Sequence, residues 1–357
     1  MVPFVHLNGR LVEVSRLASF EVGSEFERST VEFLQQWQQG QDRFDLYTSG
    51  STGKPTKISI QRQQMVASAN MTIEAFNLLP NDTLHLCLNT GFIAGKMMLV
   101  RAMVGNMNIV AEAPSAYPKA LAEQLDTIHF TALIPLQLEN LLADEPSLHA
   151  LNKMKGIIIG GAPTSAELEK RVQEISAPVF ATFGMTETVT HVALRRLNGA
   201  GRSKYYQVLP GIQIDLDDRE CLAISGPVTL GKRIVTNDRV KLVDKTHFEW
   251  LGRIDNVINS GGIKIQLEEV EREVAKVLSK LGLKYRAFAA GIPDKSLGQV
   301  LVLCLEGQET PINTLLAELK SQLPKYHAPR KVLFIDRFVE TSTGKINRRE
   351  TIKPVMG

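Results

Sequence analysis

The chain has 357 residues, enough for two domains with a sizeable core. A hydrophobic fraction of 44% and a charged fraction of 22% are those of an ordinary folded protein, and a formal charge of +3 leaves no footprint for nucleic acid or an anionic membrane. No apolar run reaches membrane-spanning length, and the start, MVPFVHLNGR, lacks the basic-then-apolar order of a signal peptide, so the expected location is the cytoplasm. Cys87, Cys221 and Cys304 are far apart and each sits in an apolar run, which predicts buried thiols and neither a disulfide framework nor a zinc site.

In chain order, residues 4–14 predict a hairpin around Asn8 and Gly9, a pair that tolerates positive φ. Ser24 and Glu27 make a capping-box pattern, after which Phe26, Thr30, Phe33, Leu34 and Trp37 fall on one helical face before Gly40. With its own cap and core residues, this stretch reads as a genuine N-terminus.

The stretch 47–57, YTSGSTGKPTK, combines Gly50 and Gly53 with the hydroxyls of Thr48, Ser49, Ser51 and Thr52 and with Lys54 and Lys57. Glycines let backbone N–H groups turn inward, hydroxyls add donors and lysines offset charge, so this composition suits a polyphosphate. A Ser/Gly linker has similar composition, but the apolar run Phe44, Leu46, Tyr47 leads in and a helical pattern from about residue 61 leads out, predicting strand, loop, helix. A Walker loop is excluded: two residues separate Gly50 from Gly53, and Pro55 follows Lys54.

Helix and strand then alternate. Helices are predicted at 61–79, 96–104, 118–125 and 136–143, with a fifth opening on Thr164 and Glu167; strands are predicted at 83–88, 108–111, 130–134, 156–159 and 179–183. This is an α/β pattern with a largely parallel sheet, whose sites belong at the carboxyl ends of the strands. One such end runs into Gly160, Gly161, Ala162 and Pro163, and the next into Phe183, Gly184, Met185, Thr186 and Glu187. Taken alone, the second string is equally a turn with a capped helix.

From 205 to 250 the texture changes to short strands, at 211–216, 221–225, 233–235 and 240–243, which predicts a β-rich subdomain. The segment 252–271, GRIDNVINSGGIKIQLEEVE, leads into a tail that reads helix, strand, strand, helix, strand, a compact α+β unit. Near its end, Thr341, Ser342, Thr343, Gly344 and Lys345 form a polar turn.

These motifs together resemble those of the adenylate-forming superfamily, comprising acyl-CoA synthetases, luciferases and the adenylation domains of peptide synthetases, and the likeness runs from residue 44 onward. The resemblance implies a large α/β domain over 1–254, with a mostly parallel sheet and the β-rich subdomain, then a small mobile α+β domain over 255–357. It implies ATP, Mg²⁺, a small-molecule acid and coenzyme A as ligands. Residues 48–53, Lys57, Gly160 to Pro163 and Phe183 to Met185 would surround ATP; Thr186 would contact phosphate and Glu187 would hold Mg²⁺. Thr236, Asn237 and Asp238 stand where the family has Thr-Gly-Asp, with Asn237 keeping a left-handed turn and Asp238 accepting from the ribose hydroxyls. Arg253 would contact ribose or phosphate, Asp255 would be the hinge, and Gly261, Gly262 and Lys264 would lie near coenzyme A. Lys345 would be the catalytic lysine.

Within the superfamily, IPLQLENLL at 134–142 and GIIIGGAP at 156–163 resemble the o-succinylbenzoate–CoA ligases of menaquinone biosynthesis. An acid of that type keeps a second carboxylate, so its pocket needs a cation or good donors; Phe92, Lys96, Arg101, Thr190, His191 and Arg195 are the residues on offer. Alternatives are an acyl-AMP ligase for another acid or for a carrier protein, and a nucleotide-binding protein without turnover, against which the presence of Lys345 speaks. The family pattern is broken in three places. Phe92 replaces a histidine common in the family, and Val339 and Glu340 replace the proline and basic residue before the lysine loop. The phosphate loop also comes early, so most of the family's N-terminal subdomain is missing, leaving a face for solvent or for a homodimer partner.

Overall fold

The computed structural model describes residues 4–48, 56–123, 127–309, 312–340 and 346–355. Six strands lie parallel and adjacent, in the order Phe4–Leu7, Asn108–Ala111, Thr83–Leu86, Phe130–Leu133, Gly156–Ile159 and Val179–Gly184. Ile157, Ile158 and Ile159 are buried, as a parallel strand covered on both faces requires, and each contributes on the order of 1.5–3 kcal/mol. The hairpin Phe4–Leu7 and Arg10–Glu13 turns at Asn8 and Gly9 with φ of 48° and 80° and forms one edge.

The expected β-rich subdomain is a continuation of this same sheet. His191–Arg196 pairs antiparallel with Val179–Gly184, and Tyr206–Val208, His247–Arg253, Ile234–Leu242, Cys221–Ser225 and Gln213–Leu216 follow, all antiparallel, to make 13 strands. Two of the expected short strands are one: Ile234–Leu242 runs through Thr236, Asn237 and Asp238. Asn237 is absent from the residues with positive φ, so the left-handed turn expected there does not form; ladder pairing with Arg253 keeps Asp238 extended instead.

Three local expectations also change. After the phosphate loop comes a second strand, Thr56–Gln61, which pairs antiparallel with Arg43–Thr48 before the helix Arg62–Ala75 begins. Ile58 and Ile60 alternate with Lys57, Ser59 and Gln61 and lie opposite Leu46 and Phe44, a period of two that puts the apolar residues on one face. The helix expected to open on Thr164 spans Ala166–Arg171 and is capped by Ser165, whose Oγ accepts from the Leu168 N–H at 3.0 Å. An unexpected helix, Glu145–Asn152, is capped by Asp144.

A second sheet holds Val257–Ser260, Ile263–Gln266, Ala287–Asp294, Gly298–Glu306 and Lys331–Ile335, with helices Leu267–Lys280 and Asn313–Gln322 packed together around Ile265, Val270, Val274, Leu301, Leu303 and Leu319. The first sheet's last strand in sequence ends at Arg253 and the second sheet's first begins at Val257. The three cysteines are buried free thiols. Among the described residues no helix is long and apolar enough to cross a membrane.

Candidate active site

The hairpin Arg43–Thr48 and Thr56–Gln61 closes on the pair Thr48 and Thr56. Ser49, Gly50, Ser51, Thr52 and Gly53 lie beyond that pair, outside the described residues, as does Lys345. Lys57 lies one residue from the pair, with its Nζ 2.9 Å from Asp45 Oδ2; hydrogen bonds from Lys57 and Ser59 hold the Asp45 carboxyl below its ordinary range. Strand Thr56–Gln61 packs against the short turn Thr186–Thr188, so the phosphate-loop hairpin and the second strand-end motif converge.

That turn has a definite construction. Gly184 ends its strand beneath the returning chain, where a Cβ would sit 2.1 Å from the Thr190 carbonyl oxygen, so only glycine lets the backbone double back. Thr188, fully buried, donates its hydroxyl to the carbonyls of Met185 and Thr190 and accepts from the Met185 N–H at 3.1 Å. Val189 is buried at φ 67° and ψ −66°, and the Thr190 N–H reaches the Thr188 carbonyl at 2.8 Å, a γ-turn of the strained kind for a β-branched residue. The product of this knot is an exposed Glu187 carboxylate with no ion pair among the described residues and a half-exposed Thr186 beside it. Next to it, Thr182 Oγ1 donates to the Ile159 carbonyl at 3.0 Å and ties the end carrying Gly160, Gly161, Ala162 and Pro163 to the end carrying Phe183 to Glu187. A hard dication needs oxygen ligands, and the exposed Glu187 carboxylate, with phosphate oxygens of a nucleotide, would fit Mg²⁺.

On the antiparallel side, Asp238 is 8% exposed, and its Oδ1 accepts from Trp250 Nε1 at 2.9 Å. Burial pushes its carboxyl up, partly offset by that hydrogen bond and by Arg253. Arg253 Nη2 bonds Asp255 Oδ2 at 2.5 Å, and Asn237 Nδ2 donates to the same carboxylate at 3.2 and 3.3 Å. Asp238, Arg253 and Asp255 are thus joined through neighbouring strands. Gly261 and Gly262, with φ of 61° and 85°, form the two-residue turn between Val257–Ser260 and Ile263–Gln266; Lys264 is exposed on the second of these strands.

The six residues offered for the acid separate. Arg101, 1% exposed, lies with Thr190 and His191: its Nη2 is 3.4 Å from Thr190 Oγ1, and its charge, after burial, holds His191 well below the ordinary histidine range. Phe92 caps the helix Ile93–Gly105 that carries Arg101. Lys96, on the same helix, sends its Nζ 4.9 Å from the Phe33 ring. Arg195 is elsewhere, bonded to Glu169 Oε1 at 2.7 Å, so it does not belong to this group.

Residues 19–247 match the profile of the AMP-binding enzyme family. The chain belongs to that family. The AMP-binding enzyme is 26% identical over 340 residues to 2-succinylbenzoate–CoA ligase from Salmonella typhimurium, covering 91% of this chain and 71% of that one. A solved acyl-CoA synthetase (AMP-forming)/AMP-acid ligase II-like protein from Dyadobacter fermentans is 38% identical, with a TM-score of 0.64 and coverage of 96% and 99%. The fold is also that of o-succinylbenzoate CoA synthetase from Bacillus subtilis solved with its acyl-adenylate, at 22% identity, TM-score 0.72 and coverage of 86% and 68%.

Several residues that shape this AMP-binding enzyme were not expected from the sequence. Thr188, buried, and Trp250, half-buried, are hydrogen-bonding residues beside named motif residues. Ser68 and Thr72, on helix Arg62–Ala75, reach Thr190 Oγ1 at 2.8 Å and His191 Nε2 at 3.2 Å. Their signal is faint: two hydroxyls four apart on one helical face, in a helix otherwise rich in alanine, methionine and glutamine.

Proposed function

We propose that this enzyme activates a carboxylic acid with ATP and transfers the acyl group to coenzyme A, with 2-succinylbenzoate as the acid. What carries the reading is the convergence of the phosphate-loop hairpin with the Thr186–Glu187 turn in a chain of the AMP-binding family. The acid follows from relatives named for it and from the cation that Arg101 places beside Thr190.

In the first step a carboxylate oxygen attacks the α-phosphorus, the bond from that phosphorus to the bridging oxygen breaks, and pyrophosphate leaves with its electron pair. Two anions approach each other, so donors and cations must already be in place. Loop 49–53 and Lys57 cradle the phosphates, Thr186 donates to the α-phosphate, and Lys345 stabilises the developing charge. Glu187 would hold Mg²⁺, which would supply positive charge to offset that on the leaving phosphates. Asp238 accepts from the ribose hydroxyls, and Arg253 lies beside it.

In the second step the thiol sulfur attacks the acyl carbon, the bond from that carbon to the AMP oxygen breaks, and the thiol proton passes to solvent. We place the boundary between a 1–254 domain and a 255–357 domain at Asp255, with rotation there withdrawing Lys345 and bringing Gly261, Gly262 and Lys264 toward the pantetheine arm. No role for nucleic acid or membrane is included, the compartment is the cytoplasm, and a homodimer remains an alternative to a monomer.

The test is ATP-to-AMP conversion with coenzyme A over a panel of acids including 2-succinylbenzoate, with Lys345→Ala as control. Turnover of 2-succinylbenzoate, lost in the control, is the expected result. Turnover of other acids only removes the named acid, and adenylation without thioester formation moves the acceptor to a carrier protein.

A further inference from the structure

Arg101 is the largest fully buried side chain of the described residues, and nothing among them balances its charge. Of the five N–H donors of a guanidinium, two meet acceptors: Nη1 the Met98 sulfur at 3.3 Å and Nη2 the Thr190 hydroxyl at 3.4 Å. Both are weak contacts, and Nε has no partner. A buried charge without a counter-ion costs several kcal/mol, so a purely structural arginine here would be an expensive way to fill space that leucine or methionine could fill.

The surroundings are built to present that charge. Ser68, 1% exposed, orients the Thr190 hydroxyl, and Thr72, fully buried, does the same for the His191 ring. His191 stays neutral at physiological pH because burial and Arg101 both disfavour its charged form, so it is a hydrogen-bonding group in this cluster. Among the described residues the group therefore has one cation, one imidazole, three hydroxyls and no carboxylate. Thr190 is also three residues from Glu187, a separation of at most about 11 Å. A small acid reacting beside Glu187 can therefore reach the cluster with its far end.

We propose that Arg101, aligned by Thr190 and Ser68, is the anion-binding residue of the acid site and selects acids that carry a second carboxylate. This rests on the proposal that the chain activates an acid. Lys96 and Arg195 are excluded from the role by their own contacts with Phe33 and Glu169.

The experiment is calorimetric binding to the full chain, without ATP, of 2-succinylbenzoate and of its two monocarboxylic analogues, 4-oxo-4-phenylbutanoate and 2-butanoylbenzoate. The expected result is binding of the dicarboxylate at least ~10-fold tighter than the better analogue, with Arg101→Leu bringing the ratio close to one, as loss of a charge-assisted pair does. Thr190→Val is the second variant, expected to reduce the ratio about threefold and available should Arg101→Leu fail to fold. A ratio near one in the wild type, a ratio that survives Arg101→Leu, or no binding of any of the three overturns the assignment. AMP formation, measured separately on the same acids, reports on the ligase reading: a binding ratio without AMP keeps the anion site and rejects the ligase.

Discussion

The indole Nε1 of Trp250 donates to Oδ1 of Asp238 across 2.9 Å, from a strand that pairs directly with the strand of the acceptor. Burial raises the Asp238 carboxyl, and this hydrogen bond is the main contribution that opposes the shift. Trp250→Phe keeps the aromatic bulk and deletes the donor. The expected result is a further rise in the Asp238 pKa and an ATP KM at least ~10-fold higher, the effect of about 1.5 kcal/mol, the lower end for a bond to a charged group. The proposed ribose contact of Asp238 needs the ionised form, so the defect grows as pH falls toward the raised pKa; pyrophosphate exchange from pH 5.5 to 8 checks this.

Thr188 is the organiser of the turn that exposes Glu187. Thr188→Val keeps the shape and leaves the Met185 N–H and the Thr190 carbonyl without their hydroxyl partner. Each unsatisfied buried group costs ~1–3 kcal/mol. Val189, held at positive φ next door, should then relax, displacing Glu187 and Thr190 together. The expected outcome is a drop in adenylation kcat of at least ~10-fold together with a lower Tm, and Thr188→Ser should restore most of both.

Much of this site was legible because its motifs are short, local and rich in glycine. Gly160 to Pro163, Phe183 to Glu187 and 252–271 fall at strand ends or at a sheet-to-sheet crossing, where backbone demands show in the sequence. The hairpin strand Thr56–Gln61 was missed because its alternation is only five residues long and runs straight into a helix. Asn237 misled for a different reason: asparagine tolerates a left-handed turn, but the chain here runs on as one strand, with Asp238 paired to Arg253 beside it and Val235 and Arg239 paired on the other side. Sequence also could not separate Arg101 from Lys96 and Arg195. On an α-helix, positions 96 and 101 differ by about 140°. Arg101 therefore turns to the interior while Lys96 turns to the helix Glu25–Gln38.

Across the proposed pivot at Asp255, two side chains that follow it grip backbone that precedes it. Gln266 Nε2 donates to the Arg253 carbonyl at 2.8 Å and to Glu268 Oε2 at 2.6 Å, while Glu268 Oε1 accepts from the Arg253 N–H at 3.3 Å and from Asn256 at 2.6 Å. Glu268 is 7% exposed with no ion pair among the described residues, so these donors are its whole compensation. Rotation at Asp255 must rearrange this clasp, and weakening it should change the balance between the two half-reactions. Glu268→Gln is expected to move the ratio of pyrophosphate exchange to thioester formation from supplied acyl-adenylate by about 10-fold, the effect of ~1.4 kcal/mol between two states. Equal loss in both half-reactions would show that the clasp only stabilises the fold.

The charge on Arg101 also predicts how acid binding responds to alkali. Burial depresses its pKa from the ordinary arginine value to about 9, and among the described residues its titratable neighbour is His191, which is neutral throughout that range. A bound carboxylate favours the protonated guanidinium, so acid affinity should be flat from pH 7 to 8 and weaken as pH rises through about 9. Fold stability has the opposite sign. Between about 9 and the unfolded arginine value the unfolded chain holds the extra proton, so the free protein gains stability with rising pH over that window. Calorimetric titration of 2-succinylbenzoate at pH 7.5, 8.5 and 9.5, with urea unfolding at the same values, measures both. Affinity falling while unfolding free energy holds or rises is the expected pair; Arg101→Leu should abolish the fall in affinity and lessen the rise in stability.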